Sequence, residues 1–309
     1  MATTEHAETA QVSNVFSTRP VQRGLLRNIT PASRFYWIRV LLSNPMAVVS
    51  GSILLIIIFS AIAAPLLTSH DPKFLDPGIR LQGMDGDYWF GTDGSGRDVY
   101  ARVLYGARVS LIVGISVMVM AAVFGAVFGL ISGYYPRLDT PIMRVMDGLM
   151  SFPSILLAIA IMASLGPSTI NVIIALTVVY IPSIARLVRG TTLVTKQQPY
   201  VESARSVGVR DHVILRRYIF ANTLSPLIVQ CTFVVAFAII SEASLSFLGA
   251  GVPPDTPTWG NMLRDGQQFI QIAWWMAVFP GSALFILVLA LNLFGDGLRD
   301  ALDPRMRRR

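Results

Sequence analysis

Residues 109–133 read VSLIVGISVMVMAAVFGAVFGLISG, a run without one charged side chain. About 20 helical residues cross a hydrocarbon core of roughly 30 Å. Lipid offers no partner to an unpaired backbone group, so a run this long and continuous must be a membrane-spanning helix. Gly125, Gly129 and Gly133 recur at every fourth position along one face, where small residues let a second helix backbone come close. Packing inside the chain is their expected use.

Five further apolar runs lie near 46–67, 143–165, 168–187, 224–249 and 274–295. The expected fold is therefore an all-α integral membrane protein with six transmembrane helices. Composition agrees: 53% of the 309 residues are hydrophobic against 14% charged, with mean hydropathy +0.58. Ala61-Ile62-Ala63 resembles a signal-peptidase site, but the polar leader of about 45 residues before that run is too long for a signal peptide, so an uncleaved span is expected. The net charge of +7 does not imply nucleic acid, because the basic residues are dispersed around the apolar runs. Cys231 stands alone inside a run, which excludes an internal disulfide and a thiolate metal cluster and makes it a buried small hydrophobe.

Lys and Arg between the spans set orientation. With the N-terminus inside, 19 of the 25 basic residues fall on the cytoplasmic side and six outside: Lys73, Arg80, Arg97, Arg102, Arg108 and Arg264. Both termini are then cytoplasmic. The expected organisation is a disordered tail over 1–33, a first helix and extracytoplasmic segment over 34–107, a core over 108–298 containing a cytoplasmic region 188–221, and a basic tail over 299–309. Between the first two spans, Pro, Gly and Asp clusters mark turns; from Asp98 onward Val99, Val103, Leu104 and Ala107 predict an amphipathic helix lying near the interface. No repeat of fixed period is visible.

GTDGSGR at 91–97 looks like a phosphate loop but lacks the lysine and hydroxyl that hold phosphate and magnesium, so its glycines are turn formers. His6, His70 and His212 lie in three separate polar segments, and no catalytic or metal-ligand spacing occurs, so no enzyme and no metal site is expected. Pro153, Pro182, Pro226 and Pro280 lie in or at the end of spans and are expected to bend them. Asp147 follows Arg144 at i,i+3, which predicts a local ion pair. Glu242, flanked by Ser241 and Ser244, lies deeper in its span; it either lines a translocation path or hydrogen-bonds between helices.

One polar stretch resists the lipid reading. Residues 197–220, QQPYVESARSVGVRDHVILRRYIF, place Val201, Ala204, Val207 and Gly208 on one helical side, with an apolar stripe continuing through Ile214 and Tyr218. The pattern predicts a short helix, a bend at Gly208 and a second helix entering the membrane. A helix resting on headgroups would use bulky apolar side chains, whereas a small-residue face suits docking into a protein groove.

Glu202-Ser203-Ala204 followed by Gly208 resembles the signature of ABC importer permeases, whose cytoplasmic coupling helix sits on the ATPase subunit. GTDGSGRDVYARVLYGARVSL, SFPSILLAIAI, ARLVRGTTL, SLSFLGAGVPPDTPTWGNML and NLFGDGLRDALDPR are similar to the second permease subunit of dipeptide, oligopeptide and glutathione importers. The resemblance covers roughly residues 34–306. It departs at Ala221, where the family usually has proline, which leaves the bend into the next span less rigidly fixed. It implies the type I ABC importer permease fold in a bacterial inner membrane, a heterodimer with a related permease, two ATPase subunits that bind ATP and magnesium, and an extracytoplasmic substrate-binding protein. This chain itself would carry no cofactor. Residues 199–212 would couple to the ATPase through Tyr200, Glu202, Ser203, Ala204, Gly208 and Arg210, Glu202 holding the register while Ala204 and Gly208 allow close seating. Residues 90–108 and 250–265, with Gly91, Asp93, Gly96, Arg97, Asp98 and Trp259, would form the external gate or receive the binding protein.

An energetic requirement agrees. Turning a pore from 1:99 to 99:1 takes about 5.5 kcal/mol of differential binding, which a chain without a nucleotide site must receive from a partner. An ion-coupled transporter would instead show inverted repeats and several intramembrane ionisable groups, and neither is present. A structural scaffold would tolerate a bulky residue at Gly208. The cargo expected is short peptides; glutathione, nickel complexes and peptide antibiotics are the alternatives on the same architecture.

Overall fold

The computed structural model describes residues 36–302. The tail expected at 1–33 lies outside them, as do residues 303–309; Arg299 to Leu302 belong to the last helix rather than to a tail. Helices α1 (Tyr36–Ser43), α2 (Pro45–Ile62) and α3 (Ala64–Leu67) open the chain. An irregular segment leads to α4 (Val99–Tyr134), α5 (Pro136–Met150), α6 (Ser154–Leu165) and α7 (Thr169–Lys196). Then follow α8 (Pro199–Ser206), α9 (Asp211–Phe247), α10 (Trp259–Gln267) and α11 (Trp275–Leu302). Among the described residues there is no strand, only a single bridge between Thr92 and Asp98.

Five helices, α2, α4, α7, α9 and α11, are individually long and apolar enough to span a membrane. The third expected span, 143–165, is not one helix: α5 and α6 meet at 92° and reach the required length only as a bent pair. Pro153 sits at the break. It has no N–H to donate and disfavours a helical conformation at Phe152, so the helix ends before it. Pro182, Pro226 and Pro280 lie within unbroken helices.

The separate interfacial helix expected from Asp98 is also absent. Asp98 caps α4 by accepting a hydrogen bond from the Tyr100 N–H at 2.9 Å, and nothing downstream breaks the helix, so it runs unbroken for 36 residues. At 1.5 Å per residue α4 is about 54 Å long and reaches from one end of the molecule to the other.

The core forms around α4 and α7, the most extensive helix pair in the chain. Its seam is the glycine series. A Cβ on Gly125 would meet Ile184 at 2.7 Å, one on Gly129 the Ala185 carbonyl oxygen at 2.6 Å, and one on Gly133 Thr192 at 2.7 Å. The glycines serve packing within the chain. Gly129→Leu is expected to force the two backbones apart and cost about 3 kcal/mol, seen as a lowered thermal transition of the detergent-solubilised protein. Gly190→Ala, on α7 with open space around it, is the control and should lose nothing.

Candidate functional site

α8 stands at the end of the molecule where α4 finishes. Pro199 occupies its first turn, where the missing N–H is harmless, and Glu202 places a negative charge in the N-terminal turn. The helix stops because Gly208 adopts φ +80°, the left-handed conformation that glycine takes without penalty; its N–H donates to the Arg205 carbonyl, and the Val209 N–H donates to the Ala204 carbonyl. Space around Gly208 is open, so the glycine supplies a turn and not a close approach within this chain.

The expected small-residue face is divided. Val201 and Ala204 are both buried, and Val201 packs with Tyr134, Ile214 and Ile219. Ala204 is therefore unavailable for seating on another subunit. Val207, expected on the same side, lies at the helix end and points outward at 80% exposure. Tyr200, Glu202, Ser203, Gly208 and Arg210 are exposed with it. The Ser203 hydroxyl donates to the Pro199 carbonyl, and the Glu202 side chain has no hydrogen-bond partner among the described residues.

The apolar stripe changes register just beyond. Ile214 to Ile219 form a π-helical turn, in which i→i+5 bonding brings every fifth residue to one face. Ile214 and Ile219 are both fully buried, and Tyr218, expected in the stripe, is partly buried against them and also stacks loosely with Tyr200 at 6.5 Å between ring centroids. Ala221 continues the helix straight into the span where the family resemblance expected proline.

Tyr134, a residue the sequence reading passed over, ties this end together. Its hydroxyl donates to Asp211 at 2.5 Å and accepts from Arg205 at 3.3 Å, while its carbonyl accepts from the Lys196 ammonium at 2.9 Å. Both cations also lie against its ring, at 5.7 Å for Lys196 and 5.6 Å for Arg205. The hydrogen bond to Tyr134 favours the charged form of the Arg205 guanidinium, raising its pKa above the ordinary range. One ring thus joins the ends of α4 and α7 to α8 and the start of α9. Two ion pairs brace the neighbouring elements. Arg189 of α7 grips Asp139 of α5 bidentately at 2.5 and 2.7 Å. Asp147 pairs with Arg186 of α7 at 2.8 Å rather than with Arg144, so its partner is tertiary and not local.

Glu242 belongs to the opposite end. Its carboxylate is fully buried and accepts from Ser110 of α4 at 3.1 Å and Ser246 at 2.9 Å, with Thr258 before α10 as a third partner. Ser110 is only about 17 Å along α4 from its start, so Glu242 sits toward the α10 end of the bundle and not at its middle. Of its expected neighbours, Ser241 bonds the Tyr180 hydroxyl at 2.8 Å and Ser244 bonds the Ile240 carbonyl of its own helix. The carboxylate therefore joins helices. Glu242→Ala should orphan three hydroxyls and destabilise by about 3 kcal/mol or more, whereas Glu242→Gln should cost under about 1 kcal/mol in the same thermal assay.

The residues expected as external contacts are spent inside the chain. Asp93 is buried; its Oδ1 accepts from the Ser95 and Arg97 N–H groups, and its Oδ2 from Arg97 Nε at 2.6 Å. Arg97 reaches on to Asp265 at 3.0 Å, tying the loop to α10. Gly91 and Gly96 hold φ +70° and +76°, and a Cβ on Gly96 would overlap the Asp76 carbonyl. Asp98 also pairs with His70 at 2.9 Å. Trp259, 1% exposed, donates its indole N–H to the Val103 carbonyl. These residues build the end of the bundle, and their side chains offer little to an external protein.

A chain of long apolar helices with the short, knob-like helix α8 at one end has the form of a transporter's membrane subunit. The family model described as binding-protein-dependent transport system inner membrane component matches residues 121–308, and that described as the N-terminal TM domain of oligopeptide transport permease C matches residues 35–83. The chain belongs to this family of ABC transporter permeases, in which ATP hydrolysis is carried out by separate subunits. It is 49% identical over 255 residues to a putative peptide transport system permease protein of Brucella suis, covering 82% of this chain and 86% of the relative. Identity is 46% over 265 residues to the dipeptide transport system permease protein DppC of Alkalihalophilus pseudofirmus, covering 85% and 87%. With the glutathione transport system permease protein GsiD of Pectobacterium atrosepticum it is 42% over 295 residues, covering 95% and 97%.

Proposed function

We propose that this permease takes up short peptides, driven by ATPase subunits seated on α8. The observation that carries the reading is the division of α8 into two faces: Val201 and Ala204 are buried against its own bundle, while Tyr200, Glu202 and Val207 stand exposed, the Glu202 and Val207 side chains making no hydrogen bond or ion pair among the described residues. A helix held firmly from behind and bare in front transmits a push.

The α8 end faces the cytoplasm in this reading, consistent with the 19-to-6 excess of basic residues on that side, and the α10 end faces outward. The ATPases bind ATP and magnesium, a related permease completes the pore as a heterodimer, and an external binding protein delivers cargo. Relatives named for peptides and dipeptides support peptide cargo, and glutathione, itself a short peptide, is compatible. Affinity purification from native membrane tests the proposal. An ATPase should copurify and the intact system should import radiolabelled di- or tripeptides; purification without an ATPase, or import of no peptide, would contradict it.

A further inference from the structure

At the α10 end, a cavity of about 700 Å³ opens between the segment that follows α3 and the first turns of α4. That volume falls within the range of roughly 300–1,000 Å³ common to small-molecule sites. Its walls carry both signs of charge. His70 hydrogen-bonds Asp98 at 2.9 Å and Lys73 pairs with Asp255 at 3.4 Å, so these groups already have partners within the chain. Two charges are left over. Arg108 of α4 is half-buried, its guanidinium 5.6 Å from the centre of the Tyr105 ring, and no carboxylate among the described residues pairs with it. The exposed Asp71 carboxylate accepts only the Lys73 backbone N–H, at 2.9 Å, and pairs with no cation among the described residues.

An arginine and an aspartate that line one cavity without meeting are complementary to a molecule that is anionic at one end and cationic at the other. The stacked guanidinium presents a fork that matches a carboxylate, and Asp71 is free to accept from an ammonium. Pro65, Pro72, Val109 and Pro257 supply walls without further hydrogen-bond demands, suited to side chains of varied kind. We propose that this cavity binds short peptides with free termini as they pass through the permease, the C-terminal carboxylate on Arg108 and the N-terminal ammonium on Asp71. The inference rests on the peptide reading of the cargo and adds a site within this chain.

The test is equilibrium dialysis of radiolabelled tri-alanine, its C-terminal amide and its N-acetyl derivative against the purified permease–ATPase complex without the binding protein. Wild type should prefer the free acid over the amide by tenfold or more. Arg108→Gln should bring that preference close to one while keeping the preference over the N-acetyl peptide, and Asp71→Asn should do the reverse. Unchanged preferences in both variants, or no saturable binding to a complex whose complete system imports tri-alanine, would overturn the site and leave the proposed function standing. Failure of the complete system to import any peptide would overturn the cargo reading and the site with it.

Discussion

Val207→Asp is expected to release the ATPase subunits from the permease while leaving its fold unchanged. Val207 is 80% exposed at the tip of α8, so replacing it removes no contact inside the chain, and surface changes of this kind cost within about 0.5 kcal/mol of stability. At an interface the same change puts a charge into an apolar seat. Loss of a central anchor costs about 2–4 kcal/mol, a weakening of roughly 30-fold or more. ATPase retained on purification and peptide uptake should fall together, while thermal unfolding stays put. Normal retention in this variant would remove α8 from the coupling surface.

Tyr134→Ala has a different signature. It removes hydrogen bonds to Asp211 and Arg205 and two cation–ring contacts, together worth about 3 kcal/mol. That is more than half of the 5.5 kcal/mol needed to turn a two-state pore. The knob remains but its mounting loosens. ATP hydrolysis should continue within about twofold of wild type while the ATP consumed per peptide imported rises tenfold or more. Tyr134→Phe keeps the ring and should raise the ratio only two- to threefold. A proportional fall in hydrolysis and uptake would show Tyr134 to be a stability residue only.

The helical class, the span regions and the knob were legible in the sequence because each follows from a local pattern: charge-free runs, glycines at every fourth position, and a glycine closing a short polar helix. What escaped depends on contacts between distant residues. Asp147 has Arg144 three residues away, yet Arg186 on α7 takes it, and no spacing rule reports that. Tyr134 reads as an ordinary aromatic at the end of an apolar run; only the fold brings Lys196, Arg205 and Asp211 around it. The π-turn at Ile214–Ile219 escaped because a 3.6-residue period gives no sign of the five-residue step that buries Ile219 together with Ile214, beside Tyr218. The family resemblance implies external contacts for residues 90–108 and 250–265; that Asp93 and Arg97 are instead satisfied within the chain cannot be read from sequence, because buried polar residues that satisfy one another leave the same trace as exposed ones.

The central claim is that partner ATPases grip α8, and site-directed cross-linking tests it most directly. Cys231, half-buried in α9, is the chain's single cysteine, so a Cys231→Ser background leaves the surface clear for one thiol at a time. With Val207→Cys in that background, a short bifunctional thiol reagent applied to native membranes should join the permease to an ATPase subunit, and Tyr105→Cys, at the far end of α4, should give no such product. A product with the ATPase at position 105 and none at 207 would contradict the account.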